Sequence, residues 1–193
     1  MATTIDLQVA ATADDAWSYD AGGSFTNSST VHLLDHSTAN VHNWVRFVMG
    51  GTPIPSGAIM SNCYLSFNAY ANDVGTSQLL ISGLDVDDVG DFPNWAASNG
   101  YALTTEDITW SAGAWTANNW YNSDNISAIV QEIVDLMGGI ATGEHIGFKL
   151  YNSSMVVLKR CDSYDEASHI VGIKLHMEFT VASTNKQQVI MIS

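Results

Sequence analysis

Trp120-Tyr-Asn-Ser-Asp-Asn-Ile-Ser-Ala-Ile-Val-Gln-Glu-Ile-Val-Asp-Leu-Met-Gly-Gly139 is the stretch whose reading decides the fold. Ile126, Ile129, Val130, Ile133, Val134, Leu136 and Met137 recur at three- and four-residue spacing, the mark of a helix with one buried face. Ser123 or Asp124 is placed to cap its start, and Gly138 to end it in a left-handed turn. The spacing predicts one α-helix over about residues 124–137. Elsewhere the chain alternates with period two or breaks into Gly, Asn, Ser and Thr. A single packed helix among strands points to an all-β protein rather than an α/β one.

Working outward, a first strand is expected over 5–11, with Ile5, Leu7 and Val9 on one face. A polar, Gly-rich stretch follows to residue 29. Further strands are expected over 30–34, 44–49, 58–71, 78–86, 108–110, 145–151, 155–160 and 170–181. The last is the clearest: Val171, Ile173, Leu175, Met177, Phe179 and Val181 share one face, while Lys174, His176, Glu178 and Thr180 share the other. Residues 50–57, Gly-Gly-Thr-Pro-Ile-Pro-Ser-Gly, read as a turn, and 87–107 as a long surface loop. The expected architecture is an all-β, antiparallel two-sheet jelly-roll sandwich with one helix. It forms one domain over 1–182, with 183–193 as a separate tail.

The chain has 193 residues, 46% of them hydrophobic, which suits a single globular unit. No stretch approaches the roughly 20 apolar residues of a membrane span, so membrane insertion is not expected. Six Lys and Arg face 20 Asp and Glu, a net charge of −14. That balance disfavours nucleic acid and anionic lipid, which both need clustered cations. The start, Met-Ala-Thr-Thr-Ile-Asp-Leu, lacks the basic and apolar regions of a secretory signal. The expectation is a chain that does not use that export route, or one whose mature start has been replaced. Cys63 and Cys161 each lie in an expected strand. They read as two buried thiols, or as a disulfide if their strands are neighbours.

Several short segments stand in a telling order: Ala11-Thr-Ala-Asp-Asp15, Arg46-Phe47, Ile54-Pro55-Ser-Gly57-Ala58-Ile59, Tyr64-Leu-Ser-Phe67 and Ile108-Thr-Trp110. Asn125 to Val134, Gly143-Glu-His-Ile-Gly-Phe-Lys-Leu150 and Ser163-Tyr-Asp-Glu166 complete the set. Together they resemble the DNRLRE-type β-sandwich family, jelly rolls similar to carbohydrate-binding modules. Val171-Gly172 stands where the family has a Pro before its last strand. The resemblance implies a binding or assembly module of extracellular enzymes, surface proteins or phage-type virions, and no particular chemistry.

Asp85, Asp87, Asp88 and Asp91 form the densest acidic segment. Such oxygens can gather around Ca2+, or serve as a solvated loop; the spacing is not that of an EF-hand. Asp14, Asp15 and Asp20 make a looser second group. Trp17, Trp95, Trp115, Trp120 and Tyr121 fall in expected loops or at element edges, whereas Trp44 and Trp110 fall in strands and read as core. Exposed rings stack on the C–H faces of sugars, and the same residues can instead anchor loops. His32 and His36 lie four apart on an expected strand, a spacing open to a transition metal; His42 follows. No nucleophile elbow, phosphate loop, HExxH or CxxC is present, so catalysis is not expected. The tail ends in Val189, Ile190, Met191 and Ile192. It reads either as an edge strand on its own sheet or as an arm that adds a strand to a neighbouring subunit. The expected function is a non-enzymatic virion or surface-assembly protein, such as a capsid-decorating or tail-associated phage sandwich, acting as a homo-oligomer or with other virion or surface proteins. The alternative is a carbohydrate-binding module with a glycan partner.

Overall fold

Period-two alternation of apolar residues produces the sheets, and the computed structural model describes residues 1–20, 23–152, 155, 157–167 and 172–182. In chain order the first strands are β1 (Thr3–Gln8), β2 (Asp15–Tyr19), β3 (Val31–Asp35), β4 (Val41–Val48), β5 (Ile54–Pro55), β6 (Ala58–Asn68) and β7 (Ser77–Leu84). Helix α1 (Trp95–Asn99) precedes β8 (Leu103–Ala112) and β9 (Trp120–Asn122). Helix α2 (Ser127–Met137) leads into β10 (Gly139–Ile140), β11 (His145–Asn152), β12 (Lys159–Asp162) and β13 (Lys174–Val181).

One sheet has the order β1-β13-β6-β9, the other β2-β4-β11-β7-β8, with β5–β10 and β3–β12 as small flanking pairs. All pairings are antiparallel. The chain crosses between the two large sheets repeatedly, as a jelly roll does. Ile5, Leu65, Leu175 and Met177 of the first sheet share one core with Val45, Phe47, Ile81 and Phe148 of the second. Among the described residues no helix is long and apolar enough to cross a membrane.

Helix α2 closes one side of the sandwich. Ile126, Ile129, Val130, Ile133 and Val134 are buried in the core, as the spacing predicts. Gly83 of β7 lets the helix approach closely, because a Cβ there would lie 2.7 Å from Ile133 Cδ1 and 2.9 Å from Ile129 Cγ2. The polar side chains take up the hydrogen bonds that missing strands would have made. Asn125 Oδ1 accepts from Cys63 N (3.1 Å) and Gln131 Oε1 from Met60 N (2.9 Å), both on the β6 edge. Across the gap, the Glu132 carboxylate accepts from Thr105 N (2.7 Å) and Glu106 N (2.9 Å) of β8. Those two backbone donors, Glu106 first, hold the Glu132 carboxyl below the usual carboxylate range.

Several expectations shift. The helix start is served by Asn125, whose Oδ1 also accepts from Ser127 N at 3.0 Å. Ser123 instead accepts from Leu65 N on β6. Gly138 ends the helix in the left-handed region, at φ 67°. A second, short helix, α1, stands in the expected 87–107 loop, capped by Asn94 Oδ1 from Ala97 N at 3.0 Å. Strand β2 lies where a polar loop is expected. Its Asp15 and Ser18 are buried and hydrogen-bonded, so polarity there does not mean exposure. The expected 50–57 turn contains β5, and the tail with Val189, Ile190, Met191 and Ile192 lies outside the described residues.

Candidate functional site

The outer face of the five-stranded sheet carries a cavity of about 200 Å³, lined by His42, Leu80, Ser82, Leu103, Lys149 and Tyr151. Strand alternation and register build it. On β4, Val45 and Phe47 enter the core and Val41 is buried on the same face, which turns His42 and Trp44 outward. Register then aligns His42 with Tyr151 and Tyr151 with Leu80, in one row across β4, β11 and β7. The next row aligns Trp44 with Lys149 and Lys149 with Ser82.

A wall rises beside these rows. Val89 and Phe92 pack on Ala16, Trp44 and Leu84 in a second, smaller apolar cluster that Trp95 and Tyr101 flank. Arg46 pins this segment: its Nη1 donates to Val89 O at 2.8 Å and its Nη2 pairs with Asp91. Helix α1 presents Trp95 edge-on to His42 (ring centroids 4.9 Å, 89°) and to Trp44 (5.6 Å, 83°). Asn99 Oδ1 accepts from Lys149 Nζ at 2.8 Å. The wall is therefore fixed before any ligand arrives.

Burial pushes the His42 imidazole below its ordinary range, against the pull of Asp20. The 2.6 Å contact from Nε2 to Asp20 Oδ1 makes Nε2 the donor to that carboxylate. That bond, with Asn40 Nδ2 donating at 2.5 Å, holds the Asp20 carboxyl low. Burial lowers the Lys149 ammonium and raises the Tyr151 phenol. Among the described residues the other ring nitrogen of His42, Nδ1, is buried with no hydrogen-bond partner. The arrangement offers aromatic faces, an apolar floor and a few polar tips, which suits non-covalent binding.

None of the five aromatic residues singled out in the sequence lines this cavity; Trp95 comes nearest, packed edge-on behind His42. Trp115 is 4% exposed and belongs to the core, a correction to its reading as a sugar platform, since a buried ring offers no face. It stacks near Phe67 and on Tyr121 (5.1 Å, 10°), whose hydroxyl accepts from Thr116 N at 2.7 Å. Trp17 is half-buried, its indole donating to Val31 O at 3.1 Å. Trp120 is 39% exposed, on the other sheet, with Lys174 Nζ 4.0 Å above its ring. Trp110 lies in the main core and Trp44 is buried in the smaller outer-face cluster.

The acidic residues disperse in the same way. Asp88 accepts from His145 N at 2.8 Å and faces its ring, while Asp91 is held by Arg46. Asp85 is half-buried and Asp87 exposed. Asp14 pairs with Arg46, Asp15 accepts from Tyr164 N, and Asp20 holds His42. Among the described residues no three His, Cys, Asp or Glu gather as a metal site. Asp88 and Asp91 of the acidic segment thus meet their charge with the protein's own cations and N–H groups. His32 is buried, and His36 packs edge-on against Tyr19, so the two do not pair. Cys63 and Cys161 are free and buried; burial pushes the Cys63 thiol up to about 11 and Cys161 well above its ordinary range.

Leu80, Ser82, Lys149 and Tyr151 are site residues that the sequence does not single out. A usable signal is present in part: Leu80 and Tyr151 interrupt the polar side of their strands with an apolar side chain and a ring. No protein-family model and no curated protein matches the chain. Among solved structures it is similar to the enzymatically active domain of tailspike protein 4 of bacteriophage CBA120. The identity is 11% and the TM-score 0.28, over 94% of this chain and 19% of that one. The chain therefore spans about a fifth of that protein's chain, and so distant a likeness lends nothing to a functional assignment.

Proposed function

We propose that this chain is a non-enzymatic β-sandwich binding module that holds one ring of a carbohydrate in the outer-face groove. The observation that carries the reading is the contact of the Tyr151 and His42 rings at one small cavity with polar tips from Ser82 and Lys149, His42 being backed edge-on by Trp95. Sugar rings present apolar C–H faces to aromatic surfaces and hydroxyls to polar groups. The cavity is smaller than the roughly 300–1,000 Å³ that enclose drug-sized ligands, which fits a single ring. The DNRLRE-type resemblance agrees with such a role. Affinity electrophoresis on a panel of polysaccharide gels tests it. Tyr151→Ala and Trp95→Ala are expected to weaken retardation about tenfold or more, while Trp120→Ala leaves it unchanged. Loss on Trp120→Ala alone would move the site to the other sheet.

A second reading, subunit contact within a virion or extracellular surface assembly, is favoured by a separate observation. Ile59 is 60% exposed and Val181 47% exposed, and both lie on the paired ends of β6 and β13, just before residues 183–193. We propose that this end meets another copy or another assembly protein. Sedimentation of the full chain is expected to show an oligomer that Ile59→Ser, or removal of residues 187–193, dissociates. A monomer at high concentration would sink the homo-oligomeric form of this reading.

A further inference from the structure

The groove combines two features that a plain hexose does not use together. Leu80 and Leu103 make its lining apolar on the β7–β8 side, and Leu103 is 42% exposed at the rim. Beside them stand polar groups with spare hydrogen-bonding capacity. Among the described residues the hydroxyls of Ser82 and Tyr151 form no hydrogen bond with the protein. Lys149 spends one of its three donors on Asn99. A hexose would meet the leucines with hydroxyls, which lose water there without gaining a partner. A carboxylated sugar is disfavoured as well, since Asp20 already offsets the charge of Lys149 and the chain carries −14.

We propose that the groove selects an N-acylated amino sugar, with the acyl methyl against Leu80 and Leu103 and the amide bonded to Ser82, Tyr151 or Lys149. The inference rests on the carbohydrate reading of the same groove and narrows it to one class of ring. An acetamido group supplies a methyl, an acceptor and a donor within a few atoms, which is the composition this lining matches. A single added apolar group in a fitting pocket is worth about tenfold or more in discrimination.

Titration of the full chain, followed by backbone amide chemical shifts, tests this with four free sugars. These are N-acetylglucosamine, N-acetylgalactosamine, glucose and galactose. The N-acetyl sugars are expected to bind about tenfold tighter than their parents, with shifts centred on residues 80–82 and 149–151. Leu80→Ser with Leu103→Ser, at half-buried and exposed positions, is expected to bring the N-acetyl and parent sugars to equal affinity. Tyr151→Ala is expected to remove binding of both. Equal affinity for acetylated and parent sugars at the groove overturns the N-acyl inference and leaves the carbohydrate reading standing. Shifts on the Trp120 face, or none with any of the four, overturn both.

Discussion

Arg46→Met is expected to lower the unfolding free energy by about 3–5 kcal/mol, read from the midpoint of a urea titration. Arg46 projects from the outer face of β4 and is 9% exposed. Its Nε donates to Asp14 Oδ1 at 2.6 Å, and the Asp14 side chain is 5% exposed. A neutral side chain at position 46 leaves that carboxylate buried with no cation. The penalty is the desolvation of an uncompensated charge, which is why it exceeds the value of the contact itself. Asp91, the second partner, is 62% exposed, so Asp91→Ala is worth about 1 kcal/mol or less. The contrast between the two substitutions is the test. Adding Asp14→Asn to Arg46→Met is expected to recover part of the loss, because it removes the stranded charge. A loss below about 1 kcal/mol in Arg46→Met would show that Asp14 finds water or another donor.

Gly139→Ala is the other large effect, expected to cost about 3 kcal/mol or more, or roughly 6–12 °C in Tm for a domain of this size. Gly139 has φ +106°, outside the region that L side chains adopt readily. A Cβ there would also lie 2.7 Å from Ile54 O, 2.8 Å from Ser56 N and 3.0 Å from Pro55 C. Those are backbone atoms and cannot rotate aside, so the β5–β10 pair would have to separate. Its neighbour makes an internal control. Gly138 has φ +67°, and a Cβ at that position would meet nothing within 4 Å, so its substitution by Ala is expected to cost about 1 kcal/mol. Equal losses at the two positions would show that helix termination, rather than the close approach, sets the requirement.

Helix α2 and strand β13 are legible in the sequence because each buries one continuous face, and a buried face leaves a period in the chain. The helix begins later than the sequence places it: Ile126 stands at the cap position without a side-chain cap, and Asn125 reaches the first turn in its stead, since Ser123, Asp124 and Asn125 are equally good acceptors and tertiary contacts decide among them. Ser123 and Asn125 both serve β6, and Asn125 alone also reaches the first turn. Strand β2 escapes because its buried positions include Asp15 and Ser18, satisfied by partners far away in the chain or by the local backbone. The candidate groove is largely illegible for a different reason. His42, Tyr151 and Leu80 become neighbours through the register of three strands drawn from distant parts of the sequence. Likewise, Trp95 and Trp115 look alike as loop tryptophans. One stands half-buried on a short helix above the sheet, and the other is sealed under Tyr121 and Lys159.

The way α2 meets the two sheets also bears on how this chain behaves among its own copies. A bare strand edge is a template on which another chain's strand can grow, and repeated growth yields aggregates. Here the donors of Met60, Cys63, Thr105 and Glu106 are already engaged by side chains from the helix region. An incoming strand would have to displace them while leaving the helix's apolar face without its core. On this flank, resistance to edge-to-edge polymerisation is built into the fold and does not depend on charge repulsion, so it persists in high salt. On the opposite side, the β2 edge is covered by the Thr26 backbone instead, which exchanges two hydrogen bonds with Trp17 that a foreign strand would otherwise take.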